Sequence, residues 1–154
     1  MTFQPDYEHT QRSVLCLGLY ATGIVLAVTA GLLALEPALL WTFVVSSGIV
    51  FILAASFHHL TVRDQGDRLQ IAFGPLPLFR RSVLYSDLQR VEVDRTKLIE
   101  GVGIQMSARG GWVWNIKGRD CVMLKTKRGA LRVGTDEPAT LAEFLNSKVS
   151  ENQA

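Results

Sequence analysis

The chain has 154 residues, 48% of them hydrophobic, with 16 Lys and Arg against 14 Asp and Glu. The length suits a single domain, yet the apolar residues are too unevenly spread for one soluble core. A net charge of +2 is too small to imply a nucleic-acid partner, and two cysteines make no disulfide framework.

From the N-terminus, residues 1–12 read as a short polar tail. Ser13 to Leu35 then gives 23 residues without a charge, and Ala38 to Phe57 gives 20 more. At about 1.5 Å per residue these reach roughly 35 and 30 Å, enough for a hydrocarbon core of about 30 Å. Residues 13–57 are therefore expected to form a two-helix transmembrane hairpin. Val28-Thr29-Ala30 resembles a signal-peptide cleavage site, but the apolar run is too long and a second span follows at once.

Arg12 precedes the first span, and Arg63, Arg68, Arg80 and Arg81 follow the second, whereas the connector Leu35-Glu36-Pro37 carries no Lys or Arg. The positive-inside rule places both ends in the cytoplasm. Trp41, one turn into the second span, suits an interfacial aromatic on the outer side. Gly23, Ala27 and Gly31 stand four residues apart as a small-residue ridge. Packing within the hairpin is its simpler use, and homo-oligomerisation through the same face is the alternative. No ionisable side chain lies inside either span, which argues against a transporter or channel acting alone.

Residues 58–154 carry fifteen of the sixteen Lys and Arg and eleven of the fourteen Asp and Glu, and residues 58–150 read as one polar domain. Leu60 and Val62, then Leu69, Ile71 and Phe73, alternate with polar residues across the turn Gln65-Gly66-Asp67, which is a hairpin pattern. Gly74-Pro75-Leu76-Pro77 breaks the run. Val83 and Tyr85 begin a third strand, and Leu88, Val91 and Val93 a fourth. Ile104 and Met106 follow, then Trp112, Trp114 and Ile116. Cys121–Thr126 and Leu131–Val133 form a last hairpin. After Gly134 the pattern turns helical. Asp136 suits a cap and Pro138 an early helical position, and Leu141, Phe144, Leu145 and Val149 make one apolar stripe. Residues 151–154 read as a tail. The expected fold is thus the membrane hairpin plus a β-rich domain, a bent seven-stranded sheet or barrel capped by one C-terminal helix.

Three segments, "LTVRDQGDRLQIAFGP", "YSDLQRVEVDR" and "GGWVWNIKGRDCVMLKTKRGALRVGTDEP", resemble the bacterial pleckstrin-homology-like membrane proteins. The matching features are Asp87-Leu88, Val91-Glu92-Val93, Gly111-Trp112 and, most specifically, Gly134-Thr135-Asp136-Glu137-Pro138. The resemblance covers residues 58–150 and implies a fold, a membrane tether and a bacterial inner-membrane location. It implies no activity. The first-hairpin loop, Gln65-Gly66-Asp67, lacks the Lys and Arg cluster through which eukaryotic relatives in fold hold inositol phospholipids.

No catalytic, metal-binding or cofactor set stands out. His58 and His59 are adjacent and point apart, and Cys121 has no cue for a partner histidine. The expectation is a non-enzymatic interaction or scaffold module, with an accessory subunit recognised through its helices as the alternative. Trp112 and Trp114 share one strand face. They read as one wall of the core, with an interfacial anchor as the rival and a ligand cradle third. In the last hairpin, Val122, Leu124, Leu131 and Val133 facing inward would put Lys125, Lys127 and Arg132 on the outer face, with Arg128 at the turn. This basic surface is either an ordinary solvated face or a contact for anionic headgroups or an acidic protein.

Overall fold

The structure is a computed structural model, and it describes residues 4–32, 36–96 and 102–153. The described residues form nine strands and three α-helices. In chain order, β1 (Glu8–Arg12) leads into α1 (Leu15–Leu32), and α2 (Pro37–Ser56) returns to β2 (His59–Asp64) and β3 (Arg68–Gly74). β4 (Arg80–Leu84) and a 3-10 turn (Tyr85–Asp87) lead to β5 (Leu88–Arg95). After it come β6 (Gly103–Met106), β7 (Trp112–Asn115), β8 (Asp120–Thr126), β9 (Gly129–Gly134) and α3 (Pro138–Gln153).

α1 and α2 are both long and apolar enough to cross a membrane. They pack through small residues seven apart: Cys16, Gly23 and Ala30 on α1, Ser47 and Ala54 on α2. A seven-residue repeat keeps two closely packed helices in register along one seam. Most other side chains of both helices face outward, including Leu17, Ile24, Val28, Val45 and Ile52.

The strands form two sheets. The first has the order β1-β2-β3-β4 and the second β5-β8-β9-β7-β6. They face each other as open layers and do not close into a barrel. β7 runs parallel to β9, so the second sheet is no simple up-and-down meander. Leu60, Ile71 and Phe73 from the first sheet meet Trp114, Leu124 and Val133 from the second in one core. α3 covers one opening with Leu141 and Leu145 fully buried, and Phe144 and Val149 pack beside them. The expected apolar stripe is therefore the buried one.

Three boundaries move. Residues 8–12, read as tail, are an edge strand: β1 pairs antiparallel with β2 from Glu8↔Arg63 to Arg12↔His59. Its residues, Glu-His-Thr-Gln-Arg, include no apolar side chain, so alternation gave no signal. Gln11 is nevertheless buried and donates from Nε2 to the Gly134 carbonyl (3.0 Å), while Tyr7 stacks on Phe144 (5.3 Å). At the other end α3 runs to Gln153, into the expected tail. Asp136 does not cap it; its carboxylate holds His9 Nε2 (2.6 Å). The Glu137 carbonyl accepts the first helical bond, from Leu141 N–H (3.1 Å), with Pro138 in the first turn as expected.

Each helix grows directly out of a strand. Two residues separate β1 from α1 and two separate α2 from β2. Ser13 N–H donates to the His58 carbonyl (3.0 Å), continuing the β1–β2 ladder into the helix roots. Phe57 stacks on Phe79 (5.2 Å) and meets Phe73 edge-on (5.0 Å). The hairpin and first sheet are thus one continuous antiparallel pair that changes from helix to strand at residues 13 and 58.

Candidate functional site

The small-residue ridge divides. Gly23 lies in the helix seam; a Cβ there would meet the Phe51 ring at 3.2 Å, and Ser47 Oγ donates to its carbonyl (2.9 Å). Ala27 and Gly31 are exposed, and Gly31 has open space around it. The reason is rotation: four residues turn a helix through about 400°, so each step drifts about 40° around the axis. Three residues spaced by two such steps cannot share one narrow seam. The connector Leu35-Glu36-Pro37 lies partly outside the described residues.

The basic surface also divides. Lys125, Lys127 and Arg128 are exposed at the β8–β9 turn. Arg132 is only 4% exposed and does not join them. Its Nε donates to Asp94 Oδ2 (2.9 Å) and its Nη1 to the Gly110 carbonyl (2.8 Å). Arg109 reaches the other Asp94 oxygen (3.2 Å). Burial pushes the Asp94 carboxyl up, but Arg132, the Arg95 backbone N–H and Arg109 outweigh it and hold the carboxyl below its usual range. The alternation itself was read correctly, since Val122, Leu124, Leu131 and Val133 do face the core. The outer side of β9 is covered in turn by the chain around Arg109 and Gly110, so it is not a solvent face.

The basic turn sits far from the helices. Lys127 N–H donates to the Asp87 carbonyl (3.0 Å), and Tyr85 N–H to that of Asp67 (3.1 Å) at the tip of the β2–β3 hairpin. That tip is separated from the helix roots by the length of β2, about 17 Å at 3.3 Å per residue. The tip is internally satisfied. Asp64 is fully buried and accepts from Tyr85 Oη (2.7 Å), Gly66 N–H (2.8 Å) and Asp6 N–H (3.2 Å). Burial raises the Asp64 carboxyl, but these donors, Tyr85 first, bring it below its ordinary value. Tyr85 is pushed up, by burial and by the Asp64 carboxylate. Asp67 holds Arg68 through two hydrogen bonds (2.9 and 2.7 Å).

The tryptophans share a face but not a fate. Trp114 is 7% exposed and lies against Phe73 (5.6 Å) inside the core, whereas Trp112 is 41% exposed. Between them and β4 runs a groove of about 280 Å³, floored by Ile104, Trp112 and Trp114 and walled by Leu78, Phe79 and the two arginines that follow. Trp114 Nε1 is buried without a hydrogen-bond partner. Leu76 and Leu78 stand 42% and 59% exposed on the adjoining loop. Gly110 and Gly111 turn the chain before Trp112 at positive φ (83° and 85°), and a Cβ on Gly111 would collide with the Ala130 backbone.

Sequence reading missed this groove. In the sequence its loop reads only as a strand break, and Arg80-Arg81 only as orientation signals. Two leucines in a Pro-interrupted loop, followed by Phe79 and two arginines, are the available cue.

His58 and His59 sit at the root of the second helix with rings 5.8 Å apart. Burial, then His58 and Arg12, lowers the pKa of His59. Cys16 and Cys121 are both buried and form no disulfide. Among the described residues, no three His, Cys, Asp or Glu side chains converge as a metal site. No known family model matches the chain, and no curated protein matches it in sequence.

Proposed function

We propose that the chain is a membrane-tethered, non-enzymatic interaction module, with a pleckstrin-homology-like sheet domain held on the cytoplasmic face of a bacterial inner membrane. The observation that carries this reading is the junction at residues 13 and 58. There two membrane-length helices continue as paired strands, bonded from Ser13 to His58. Such a root fixes the height and tilt of the domain over the bilayer, as suits a platform that presents one end to partners. The cytoplasmic orientation follows from the arginines flanking the spans, and the bacterial setting from the resemblance of residues 58–150.

The presented end is the β8–β9 turn. Lys125, Lys127 and Arg128 lie there, a strand's length from the helix roots. Surface charge attraction fades within about one Debye length, roughly 8–10 Å, so an acidic protein suits this turn better than the tethering bilayer. A second reading, an accessory or oligomerising subunit recognised through its helices, is favoured by the outward-facing Ala27 and Gly31.

One comparison separates the two. The full chain, a K125E/K127E/R128E variant and an A27L/G31L variant are extracted in mild detergent and their co-purifying proteins compared. Partners lost only with the charge reversal support the interaction module. Partners lost only with the helix variant move the function to the spans.

A further inference from the structure

We infer that the free edge of β4 takes an extended acidic segment of a partner protein as an added antiparallel strand, with an acidic side chain on Arg81 and a large apolar one against Trp112. The inference gives the interaction module its partner surface and rests on that reading of the chain.

The backbone is the first ground. β4 is an edge of its sheet and pairs only with β3. Phe73 N–H donates to the Phe79 carbonyl (2.9 Å), and Tyr85 N–H to the Asp67 carbonyl (3.1 Å). Between these bonds Ile71 lies opposite Arg81 and Leu69 opposite Val83. Antiparallel ladders alternate bonded and non-bonded pairs, so Phe79, Arg81 and Val83 direct their backbone groups to β3. Those of Arg80, Ser82 and Leu84 point the other way and have no backbone partner among the described residues. An unpaired edge of this kind is a template for one more strand. Two cavities run along it, about 280 Å³ at the Leu78–Phe79 end and about 290 Å³ from Ser82 to Leu84, and Arg81 lines both. Space therefore lies beside the whole of β4, roughly 17 Å for five residues. The second cavity ends at Thr126 and Arg128 on the β8–β9 turn, so a segment in the cleft emerges beside the basic turn.

Side-chain chemistry is the second ground. Arg81 shares parity with Val83, which is buried, and with Phe79, which packs on the core. It therefore leaves β4 on the inner face, where it is half-buried, while Arg80 leaves on the outer face and takes no part. Arg68 and Arg128, which also line the cleft, have carboxylates of their own in Asp67 and Asp87. Arg81 forms no ion pair among the described residues. A partly desolvated guanidinium without an anion favours a carboxylate, whose two oxygens fit its forked donors. An inward charge on an edge strand also rejects wrong partners: a second copy of the chain pairing through this edge brings Arg81 towards Arg81. Residues directly opposite in an antiparallel pair share a face. The partner residue opposite Arg81 thus enters the cleft and is Asp or Glu. The one opposite Phe79 is large and apolar, since it meets Ile104 and the half-open Trp112. The one opposite Val83 is a smaller apolar residue beside Leu131. Read from its N-terminus, the segment is small apolar, any residue, acidic, any residue, large apolar.

The test uses the full chain in detergent micelles, carrying Trp41→Phe so that Trp112 and Trp114 are the remaining tryptophans. The probe is the synthetic peptide Thr-Val-Thr-Glu-Thr-Leu-Thr with blocked ends, and binding is read as a saturable change in tryptophan emission. Lysine in place of the peptide's glutamate, or Arg81→Gln in the chain, should weaken binding about tenfold or more, as for a lost charge-assisted pair. N-methylation of the two threonines flanking the glutamate removes donors to the β4 edge and should abolish binding. N-methylation of the glutamate, whose N–H points away from β4, should be tolerated. Ser82→Pro removes an edge N–H without touching the β3 ladder; it should abolish binding and keep the melting temperature. The methylated peptides leave the chain unaltered, so their outcome does not depend on how a variant folds. Absence of saturable binding by the unmodified peptide overturns the inference, and so does equal binding of the two methylated forms. Loss of binding in K125E/K127E/R128E with retention in S82P moves the contact to the β8–β9 turn, which overturns the edge inference and leaves the interaction module standing. Co-purifying partners lost only with A27L/G31L remove the module reading and the inference with it.

Discussion

Two tryptophans two residues apart have opposite surroundings, and their substitutions should separate cleanly. Trp114→Ala empties a ring from the core beside Phe73 and should cost about 3–5 kcal/mol. Trp112→Ala should change stability by no more than about 0.5 kcal/mol. Thermal melts of the full chain in detergent measure both; a large loss at Trp112 would make it a core residue after all. Asp64 supplies the second prediction at this scale. Its folded pKa is depressed below the ordinary carboxylate value. Its contribution is therefore complete above the unfolded value, about 4, and is lost as pH falls through the folded pKa. Asp64→Asn should flatten the loss of stability below about pH 4, as read by melts across an acid series. The parity of β7 was legible in the sequence, because strand alternation depends only on the local backbone. Which ring would be covered was not, since that depends on where β4 and its preceding loop lie. Arg132 illustrates the same limit: its face was read correctly, and what lay over that face was a distant chain segment.

Among the elements, the helix hairpin gives the sharpest contrast. Gly23→Leu places a side chain into the Phe51 ring and should separate α1 from α2, lowering the melting temperature in detergent by several degrees. Gly31→Leu points outward into open space and should leave it unchanged. Equal sensitivity at both sites would restore a single ridge. The helices themselves, most strands of the polar region and the stripe on α3 were plain from periodicity, because each long apolar or alternating pattern has one cheap way to be buried. β1 escaped because an edge strand of polar residues needs no alternation; it is held by ladder bonds to β2 and by Gln11 reaching Gly134. The parallel pairing of β7 with β9 escaped because strand order depends on contacts distant in sequence.

Taken whole, the molecule has a helix end and a basic end. The groove lies towards the first and the β8–β9 turn at the second. A reporter fused after residue 154 should be active only in its cytoplasmic form; activity on the outer side would reverse the proposed orientation. Sequence charge alone indicated which residues were basic. It did not indicate that Arg80 and Arg81 stand near the helix roots while Lys125, Lys127 and Arg128 stand far from them, because that separation is a property of the two-sheet arrangement.

The β1–β2 ladder has a consequence for biogenesis. Its two strands are separated in the chain by the whole hairpin, so β1 emerges from the ribosome first and must wait for residue 59 and beyond before it can pair. Pairing is feasible only if both strands end on one side of the bilayer, which requires either two crossings or none. A chain inserted with a single crossing strands β1 across the membrane from its partner. The sheet then lacks an edge, and Gln11 cannot reach Gly134. A mis-threaded chain therefore cannot complete its first sheet, and β2 is left as an open strand edge.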